Sequence, residues 1–569
     1  MPNSVSEKDA ARVELVQGAA AQRRAELYHG KVGVSALLKN KKALAVAAFA
    51  SIGGFLYGYQ QGVLGGSFTK PSFKSKFPRT TEATVQSLLT AILQIGGYVG
   101  SLTAGLFGEV FSRKHTILSG ALWVVLGSFL CAGAENLAFL YAGRFFTGVG
   151  VGTLAGIGFL YNAELAPPEI RGILVAMQQL GVTFGIMVAY WIGYGTNFIG
   201  GTGATQKALA WQLPWIIQGI PAVVLAVGTF FMPYSPRLLV NKGRDAEAVS
   251  TLSYLRNLPE DHELIQIEFL DIKAEAIFDR RILEQRYPQL VKEGASIWVR
   301  EIMGYANLFR TKDSFKRTAI AGIIMFFQQW TGIDSIIYYA PFIFENLGLS
   351  SNSVSLLATG VVGVIMVFAS ILSMVFIDTF GRKPLWIASC TGMGLSMLIV
   401  GIITAKFSSD WPAHAAGGWA AVVFVWIYIA NFAYGAGPVS WTLISEIFPL
   451  STRAKGTAIG ATSNWANTIV VAYSVPPMIK HIGFGTYILF ASFNVLSIIF
   501  VYFFVPETKG KTLEEMDLVF GSHTSRAETA MLAGIQNEVG LTALLHGHRK
   551  AEGTKSSTEK TSEGDDVAV

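Results

Sequence analysis

Long apolar runs separated by short polar turns are the dominant pattern of this chain. About twelve runs approach the roughly 20 residues that an α-helix needs to cross a bilayer. They are too long and continuous for the strands of a membrane barrel, so the pattern predicts an all-α polytopic membrane protein with twelve transmembrane helices. The predicted spans are 43–64, 86–107, 116–134, 137–160, 172–194, 211–232, 318–340, 354–376, 385–405, 419–444, 456–478 and 484–505.

The most polar long interruption, residues 233–317, separates six spans from six. It predicts an N-terminal six-helix half over 43–232 and a C-terminal six-helix half over 318–505. Within the interruption, apolar and charged residues alternate at helical spacing, which predicts short amphipathic cytoplasmic helices under the bundle. Residues 1–42 are predicted to be a cytoplasmic segment, and the polar residues 506–569 a mostly disordered cytoplasmic tail.

Composition and charge agree with this pattern. Of the 569 residues, 51% are hydrophobic and only 14% are charged, whereas soluble proteins carry about 25% charged residues. Most Lys and Arg residues near span ends fall on one side of the predicted bundle, which places both termini and the central loop in the cytosol. This topology explains the net charge of +6 without a nucleic-acid partner. Both cysteines lie in apolar runs and no metal-ligand spacing occurs, so no cofactor or metal is expected.

Two charged phrases each occur twice, in the same order. Gly108–Lys114 matches Ile377–Lys383, and Glu164–Gly172 matches Glu446–Gly456. An internal repeat of this kind indicates two related halves, and membrane bundles built from two repeats are typical of secondary transporters.

The charged residues of these phrases are predicted to form a cytoplasmic gate. Ion pairs among them would hold the two halves together on the inside and break when that side opens. The alternative is that they only anchor the cytoplasmic turns. The gate residues are Glu109, Arg113, Glu164, Arg171, Asp378, Arg382, Glu446 and Arg453.

Further segments give the chain a family resemblance. They are Gly54–Tyr59, Arg144–Gly152, Gln328–Tyr339 and Pro506–Glu515. With the doubled phrases they span about residues 43–517 and resemble the sugar porter family of the major facilitator superfamily, most of all its fungal monosaccharide (hexose) transporters. The resemblance implies a multi-pass, monomeric plasma-membrane protein that carries a hexose by alternating access. Its partners would be the sugar and the lipid bilayer.

Amides and aromatic side chains inside the spans are predicted to bind the sugar. Amides offer donors and acceptors together, and aromatic faces stack on the C–H surface of a sugar ring. Gly332 permits a break in the seventh helix, where transporters place substrates. The alternative for a buried glutamine is hydrogen bonding between helices. The predicted binding residues are Gln179, Gln328, Gln329, Asp334, Tyr338, Tyr339, Trp441, Asn464 and Asn467.

Two departures from the family concern coupling to protons. Proton-coupled members usually have Asp at the position of Gln60, next to the arginine that corresponds to Arg144. Because Gln60 cannot titrate, we expect facilitated diffusion. Asp334, where the family usually has Asn, offers an alternative: proton-coupled symport with a proton as co-substrate. Its charge also disfavours an acidic substrate, since like charges repel.

Two smaller departures from the family concern the cytoplasmic gate and the binding pocket. Glu109 and Val110 replace the Asp-Arg of the family's first charged turn, which is expected to weaken the gate in that half. Asn467 follows Asn464 by one residue fewer than in the family, so its position in the pocket is open.

A sugar sensor with the transporter fold is an alternative function. No catalytic set of nucleophile, base and acid supports an enzyme.

Overall fold

The computed structural model describes residues 40–167, 170–286, 288, 297–348, 352–449, 451–509, 516, 519–520 and 524–545. The first half contains α1 (Lys41–Ala50), α2 (Ile52–Phe68), α3 (Pro71–Lys76), α4 (Ala83–Val110), α5 (Arg113–Ala132), α6 (Leu137–Leu165), α7 (Arg171–Thr196) and α8 (Leu209–Thr229). Between the halves lie α9 (Pro236–Asn241), α10 (Asp245–Arg256), α11 (Glu263–Arg286) and α12 (Ile297–Asn307).

The second half begins with α13 (Lys312–Trp330) and α14 (Ile333–Asn346), followed by α15 (Asn352–Phe380) and α16 (Arg382–Phe407). It continues with α17 (Ala415–Asn431), a π-helical segment (Phe432–Ala436), α18 (Gly437–Glu446), α19 (Arg453–Ile482) and α20 (Gly485–Phe504). A final helix, α21 (Thr524–Glu538), lies in the tail.

The predicted twelve-helix architecture is confirmed. Ten helical stretches of the described chain are long and apolar enough to cross a membrane. Three of them are continuous pairs, α1 with α2, α13 with α14, and α17 with α18. Helices α7 and α19, which are 26 and 30 residues long, complete the twelve spans. Helices α9 to α12 lie between the halves, and α11, at 24 residues, is longer than the short helices expected there.

Glycines bring helices of the first half into backbone contact. A Cβ atom on Gly148 of α6 would lie 2.2 Å from the Leu93 carbonyl oxygen of α4, and one on Gly152 would lie 2.1 Å from the Gly97 oxygen. Lipid offers no hydrophobic driving force between helices, so such close packing is a main source of their association. A larger residue at either position would separate α4 from α6.

The halves contact each other through α2 and α14, α4 and α19, and α7 and α15. We define the charged-turn end of the bundle as the end at which Arg113 and Arg382 begin their helices. Contacts at the opposite end include the Tyr190 hydroxyl, which donates to the Ile337 carbonyl at 2.7 Å. Nearby, the Asn197 amide donates to the Ser353 hydroxyl at 3.3 Å. The bundle is therefore closed at the opposite end.

Prolines create the carbonyl acceptors used by several of these contacts. Pro341 has no N–H to offer the carbonyl of Ile337, four residues earlier in α14, so that oxygen is free to accept from Tyr190. The same arrangement joins Tyr339 to the Ala472 oxygen at 2.8 Å near Pro476, and Lys70 to the Ala210 oxygen at 2.6 Å near Pro214. Each side chain replaces a helix hydrogen bond that a proline removes.

Tyr190→Phe is expected to favour opening at the opposite end. The change removes a hydrogen bond between the halves, worth about 0.5–1.5 kcal/mol, and leaves the Ile337 carbonyl without a partner. The rate at which a cysteine buried at that end is labelled measures the opening. Tyr59→Phe is the matched control, because the Tyr59 hydroxyl bonds to Pro214 within the first half. Equal labelling of the two variants would contradict the proposed role of Tyr190.

The tail differs in part from the predicted disorder. Helix α21 packs against α11, because Leu532 and Ile535 form an apolar stripe that is buried with Ala274 and Phe278. The segment is polar as a whole, so its overall polarity does not indicate this apolar stripe. The tail residues 546–569 and the N-terminal residues 1–39 lie outside the described residues.

Candidate functional site

The seventh span is broken at the glycine that the sequence singled out. Gly332, between α13 and α14, has φ of +99°, a conformation that residues with a side chain rarely adopt. A Cβ atom there would also lie 2.7 Å from the ring of Phe490. The break leaves polar backbone and side chains in the middle of the bundle.

Three of the predicted polar residues lie around this break. The Gln328 side chain donates to the Gly437 carbonyl at 3.2 Å and accepts from the Asn464 amide at 2.6 Å. It thus joins α13, α18 and α19, and Gly437 is the first residue after the π-helical segment. Gln329 is buried, and its side-chain oxygen has no hydrogen-bond partner among the described residues. That oxygen is available to a ligand hydroxyl.

Asp334 occupies the next turn, at the boundary between the halves. It is only 5% exposed, and it lies beside the Thr468 hydroxyl of α19, which donates to the Asn464 carbonyl at 3.0 Å. The hydroxyls of Tyr57 and Tyr190, both from the first half, lie within electrostatic range of its carboxyl group. The Tyr57 hydroxyl is itself hydrogen-bonded to Gln61. Both halves therefore contribute polar groups around Asp334.

The two predicted tyrosines are buried beside this cluster. Tyr338 accepts a hydrogen bond from the Gln94 amide of α4 at 2.6 Å, which joins the halves. The Tyr339 hydroxyl donates to the Ala472 carbonyl at 2.8 Å and lies beside Thr90, whose hydroxyl donates to the Gln86 carbonyl. In this conformation both side chains cover the polar cluster on the side of the opposite end.

The other predicted binding residues are placed differently. Asn467 accepts from the Trp330 indole at 3.1 Å and so points away from Asp334, whose partner is the following residue, Thr468. Gln179 is half-buried in α7. Trp441 of α18 is 40% exposed. Thr468, and not Asn467, therefore lies beside Asp334. The predicted residues that the structure brings together are Gln328, Gln329, Asp334, Tyr338, Tyr339 and Asn464.

Sequence reasoning missed several polar residues around the cluster. A usable signal was present, because Tyr57 and Gln61 lie four residues apart in α2 and so share a helix face. Gln94 is another amide inside an apolar run, as the predicted glutamines are. Missed residues are Tyr57, Gln61, Gln94, Tyr190 and Thr468.

Gln60 and Arg144 are buried in the first half without an acid. Gln60 lies two turns beyond Gly53, which packs against Leu154 of α6, so Gln60 also faces α6. The Arg144 Nε atom donates to the Leu89 carbonyl at 3.1 Å, and the guanidinium lies 5.7 Å from the Trp215 ring. Within the described part of the chain, its terminal nitrogens and the Gln60 amide have no hydrogen-bond partner. No titratable carboxyl group bonds to this arginine there.

At the charged-turn end, the doubled phrases form equivalent ion pairs. Arg113 contacts Glu164 at 3.0 Å, and Arg382 contacts Glu446 at 2.8 Å. In each half the arginine also donates to a carbonyl five residues earlier, of Gly108 or Ile377. The following lysine donates to a carbonyl near the end of the sixth span of its half; these pairs are Lys114 with Phe230 and Lys383 with Tyr502. The internal repeat thus extends to individual hydrogen bonds.

In this conformation neither pair joins the two halves, so a gate between the halves stays a prediction. Each pair joins the start of one helix to the end of its neighbour within the same half, α5 to α6 and α16 to α18. The first pair is also well formed despite the altered turn at Glu109, which is exposed. Arg453 lies within electrostatic range of Glu446 and Glu275. The side chains of Arg171 and Asp378 lie outside the described residues.

The second pair is supported from the segment after the last span. Glu507 accepts hydrogen bonds from the backbone N–H groups of Arg382, Lys383, Thr508 and Lys509. Partial burial acts to raise the pKa of Glu507, but these four donors outweigh it and hold the pKa below its usual range. The carboxylate therefore stays charged and fixes the start of α16.

A polar cluster at a helix break, between two repeated six-helix halves, defines a secondary transporter. The sequence profile described as "Sugar (and other) transporter" matches residues 46–520. The chain belongs to this family, the sugar porters of the major facilitator superfamily, and not to a family of enzymes. It is a multi-pass membrane transporter.

Individual relatives differ in their substrates. The chain is 31% identical over 491 residues to a quinate permease of Emericella nidulans, covering 84% of this chain and 89% of the relative. It is 33% identical over 515 residues to a probable quinate permease of Aspergillus niger, with 88% and 92% covered. Its fold resembles the xylose transporter XylE of E. coli in a partially occluded inward-open conformation, with a TM-score of 0.67, 26% identity, and 83% and 100% covered.

Proposed function

We propose that this protein carries a small polyhydroxylated molecule across the plasma membrane by alternating access, with both termini in the cytosol. The observation that carries the proposal is the cluster of Gln328, Asn464, Asp334 and Thr468 at the break between α13 and α14. It offers amide donors, amide acceptors and a carboxyl group where the halves meet. The likeness to an inward-open transporter supports an opening at the charged-turn end.

A monosaccharide, with a hexose first, suits this cluster best. Sugar hydroxyls both donate and accept, as the side chains of Gln328, Gln329 and Asn464 do. A carboxyl group such as Asp334 accepts hydrogen bonds from two neighbouring hydroxyls. One solved structure with this fold is XylE bound to 6-bromo-6-deoxy-D-glucose, which supports a sugar as the substrate.

Quinate is the second candidate, and the quinate permeases at 31% and 33% identity favour it. Quinate is a hydroxylated ring with a carboxylate, so its hydroxyls would suit the same amides. Its charge would be repelled by an ionised Asp334. The two substrates therefore make opposite demands on that side chain.

Uptake of labelled substrates by cells without their own transporters tests the proposal. A panel of hexoses, pentoses, a disaccharide and quinate should give saturable uptake of a hexose. Saturable quinate uptake without hexose uptake would select the second candidate. Binding of a sugar without any uptake would instead favour the sensor. Asp334→Asn separates the candidates further, because it should weaken hexose uptake but improve quinate uptake.

We further propose that transport is facilitated diffusion, because no carboxyl group bonds to Arg144 among the described residues. Wild-type uptake should show no proton flux and little dependence on external pH. Gln60→Asp is expected to introduce pH dependence, since it places a titratable carboxyl next to the buried guanidinium. Gln60→Asn is the matched control that cannot titrate.

Sugar-evoked alkalinisation of the medium by the wild-type protein would overturn facilitated diffusion. It would direct attention to Asp334 as the site of proton coupling. In that case Asp334→Asn would abolish the proton flux, whereas uptake down the sugar gradient would remain.

A further inference from the structure

The tail helix α21 is docked in an apolar groove of α11. Ile535 is fully buried with Leu532, Ala274 and Phe278. Just beyond α21, Leu541 and Leu545 pack on Ile267 of the same helix α11. The contact therefore extends over several turns of α11.

Polar contacts fix the register of this docking. Arg281 of α11 pairs with Glu538 of α21 at 2.6 Å. The Gln536 amide donates to the Asp271 carboxylate at 3.4 Å. Both pairs lie beside the apolar groove, so a shift of α21 by one turn would break them together.

Helix α11 itself is attached to the first half. Leu264, near its start, packs with Ala47, Ile170 and Leu174 of the first six spans. Further along, Glu275 pairs with Arg237 of α9 at 3.1 Å. A helix docked on α11 is therefore carried by the first half.

The same tail helix also reaches the second half. Glu528 is only 4% exposed, and its carboxylate accepts hydrogen bonds from the backbone N–H and the hydroxyl of Ser451. Ser451 lies in the loop between α18 and α19, two residues before Arg453. Helix α21 thus connects the two halves at the charged-turn end.

We propose that α21 is a strap that stabilises the conformation closed at the opposite end. The inference rests on the alternating access proposed above. When the halves rock against each other, the distance between α11 and Ser451 changes, so a helix fixed on α11 cannot keep the Glu528–Ser451 contact in both conformations. A contact made in only one conformation shifts the equilibrium toward it.

A buried cysteine at the opposite end reports the equilibrium. Leu356 of α15 is 1% exposed and lies beside Gly66 of α2, so Leu356→Cys is shielded while that end is closed. The native Cys131 and Cys390 are both buried, which lowers the background. The rate of labelling by a membrane-impermeant maleimide, applied to intact cells, measures opening.

Replacing both Leu532 and Ile535 by Asp should undock α21 and raise the labelling rate on the order of fivefold. Asn537→Asp is the matched control, because Asn537 is exposed on the same helix. Arg281→Glu should raise the rate to a smaller extent, and the added change Glu538→Arg should restore it. Rescue by the exchanged pair shows that docking, and not folding of α11, sets the rate.

Unchanged labelling in the Asp variant and in Arg281→Glu would overturn the strap. If the variant with Asp at positions 532 and 535 does not reach the membrane, the test rests on Arg281→Glu with and without Glu538→Arg. Failure of Glu538→Arg to restore the labelling rate then overturns the proposal. The underlying transport is tested separately with the tail intact. There, saturating hexose should alter the labelling of Leu356→Cys, and no effect of any substrate on it would count against alternating access itself.

Discussion

Arg113→Ala is expected to lower the free energy of unfolding by about 3–5 kcal/mol, because it leaves a charged Glu164 buried without its partner. The side chains of the pair are only 6% and 3% exposed. Three nitrogen–oxygen contacts between them lie at 3.0–3.2 Å. Thermal unfolding of the purified protein in detergent measures the change.

Arg382→Ala, at the equivalent position of the second half, is the matched control. Glu446 is 30% exposed there and keeps a hydrogen bond from the Thr508 hydroxyl at 2.5 Å. Removal of the Arg382 side chain should therefore lower the free energy of unfolding by only about 1–2 kcal/mol. The pair Arg113→Met with Glu164→Leu should regain most of the stability, since no charge is then buried. Equal destabilisation by the two alanine variants would contradict this account of the first pair.

Gln328→Ala is expected to raise the Michaelis constant for the transported substrate about 100-fold. The change removes an amide from the predicted site and also takes away the partner that orients Asn464. Together these losses amount to about 3 kcal/mol, at about 1–3 kcal/mol for each buried polar group left unpaired. Initial rates of uptake over a range of substrate concentrations measure the constant.

Asn467→Ala provides the contrast. Because the Asn467 side chain bonds to Trp330 and not to the cluster, uptake should change by no more than about threefold. Thr468→Val should have the larger effect of the two, since it removes the hydroxyl that lies beside Asp334. A strong effect of Asn467→Ala with a weak effect of Thr468→Val would reverse the assignment made from the structure.

The architecture was predictable because membrane spanning leaves a strong mark on sequence. Twelve apolar runs, a polar interruption between the sixth and the seventh, and the glycine at 332 all appear in the structure as helices, a connecting segment and a helix break. The tail helix was not predictable from polarity, because only one narrow stripe of α21 is apolar. Its burial depends on a groove in α11, more than 200 residues earlier in the chain.

The side-chain partners were less predictable than the positions. Glu164 and Arg113 were expected in one ion-pair layer, but adjacency of α5 and α6 makes them partners within one half. Asn467 and Thr468 are consecutive in the chain, and a step of one residue rotates the side chain by about 100° around α19. The residue types alone do not show which of the two side chains faces Asp334.

Three hydrogen bonds that join the halves, within the described part of the chain, are made by neutral groups. Tyr190 meets a backbone carbonyl, Gln94 meets Tyr338, and Asn197 meets Ser353. Dissolved ions screen charges and leave such bonds almost unaffected. These three bonds would thus contribute the same free energy to closing the outward side, in the proposed topology, in dilute and in salty media.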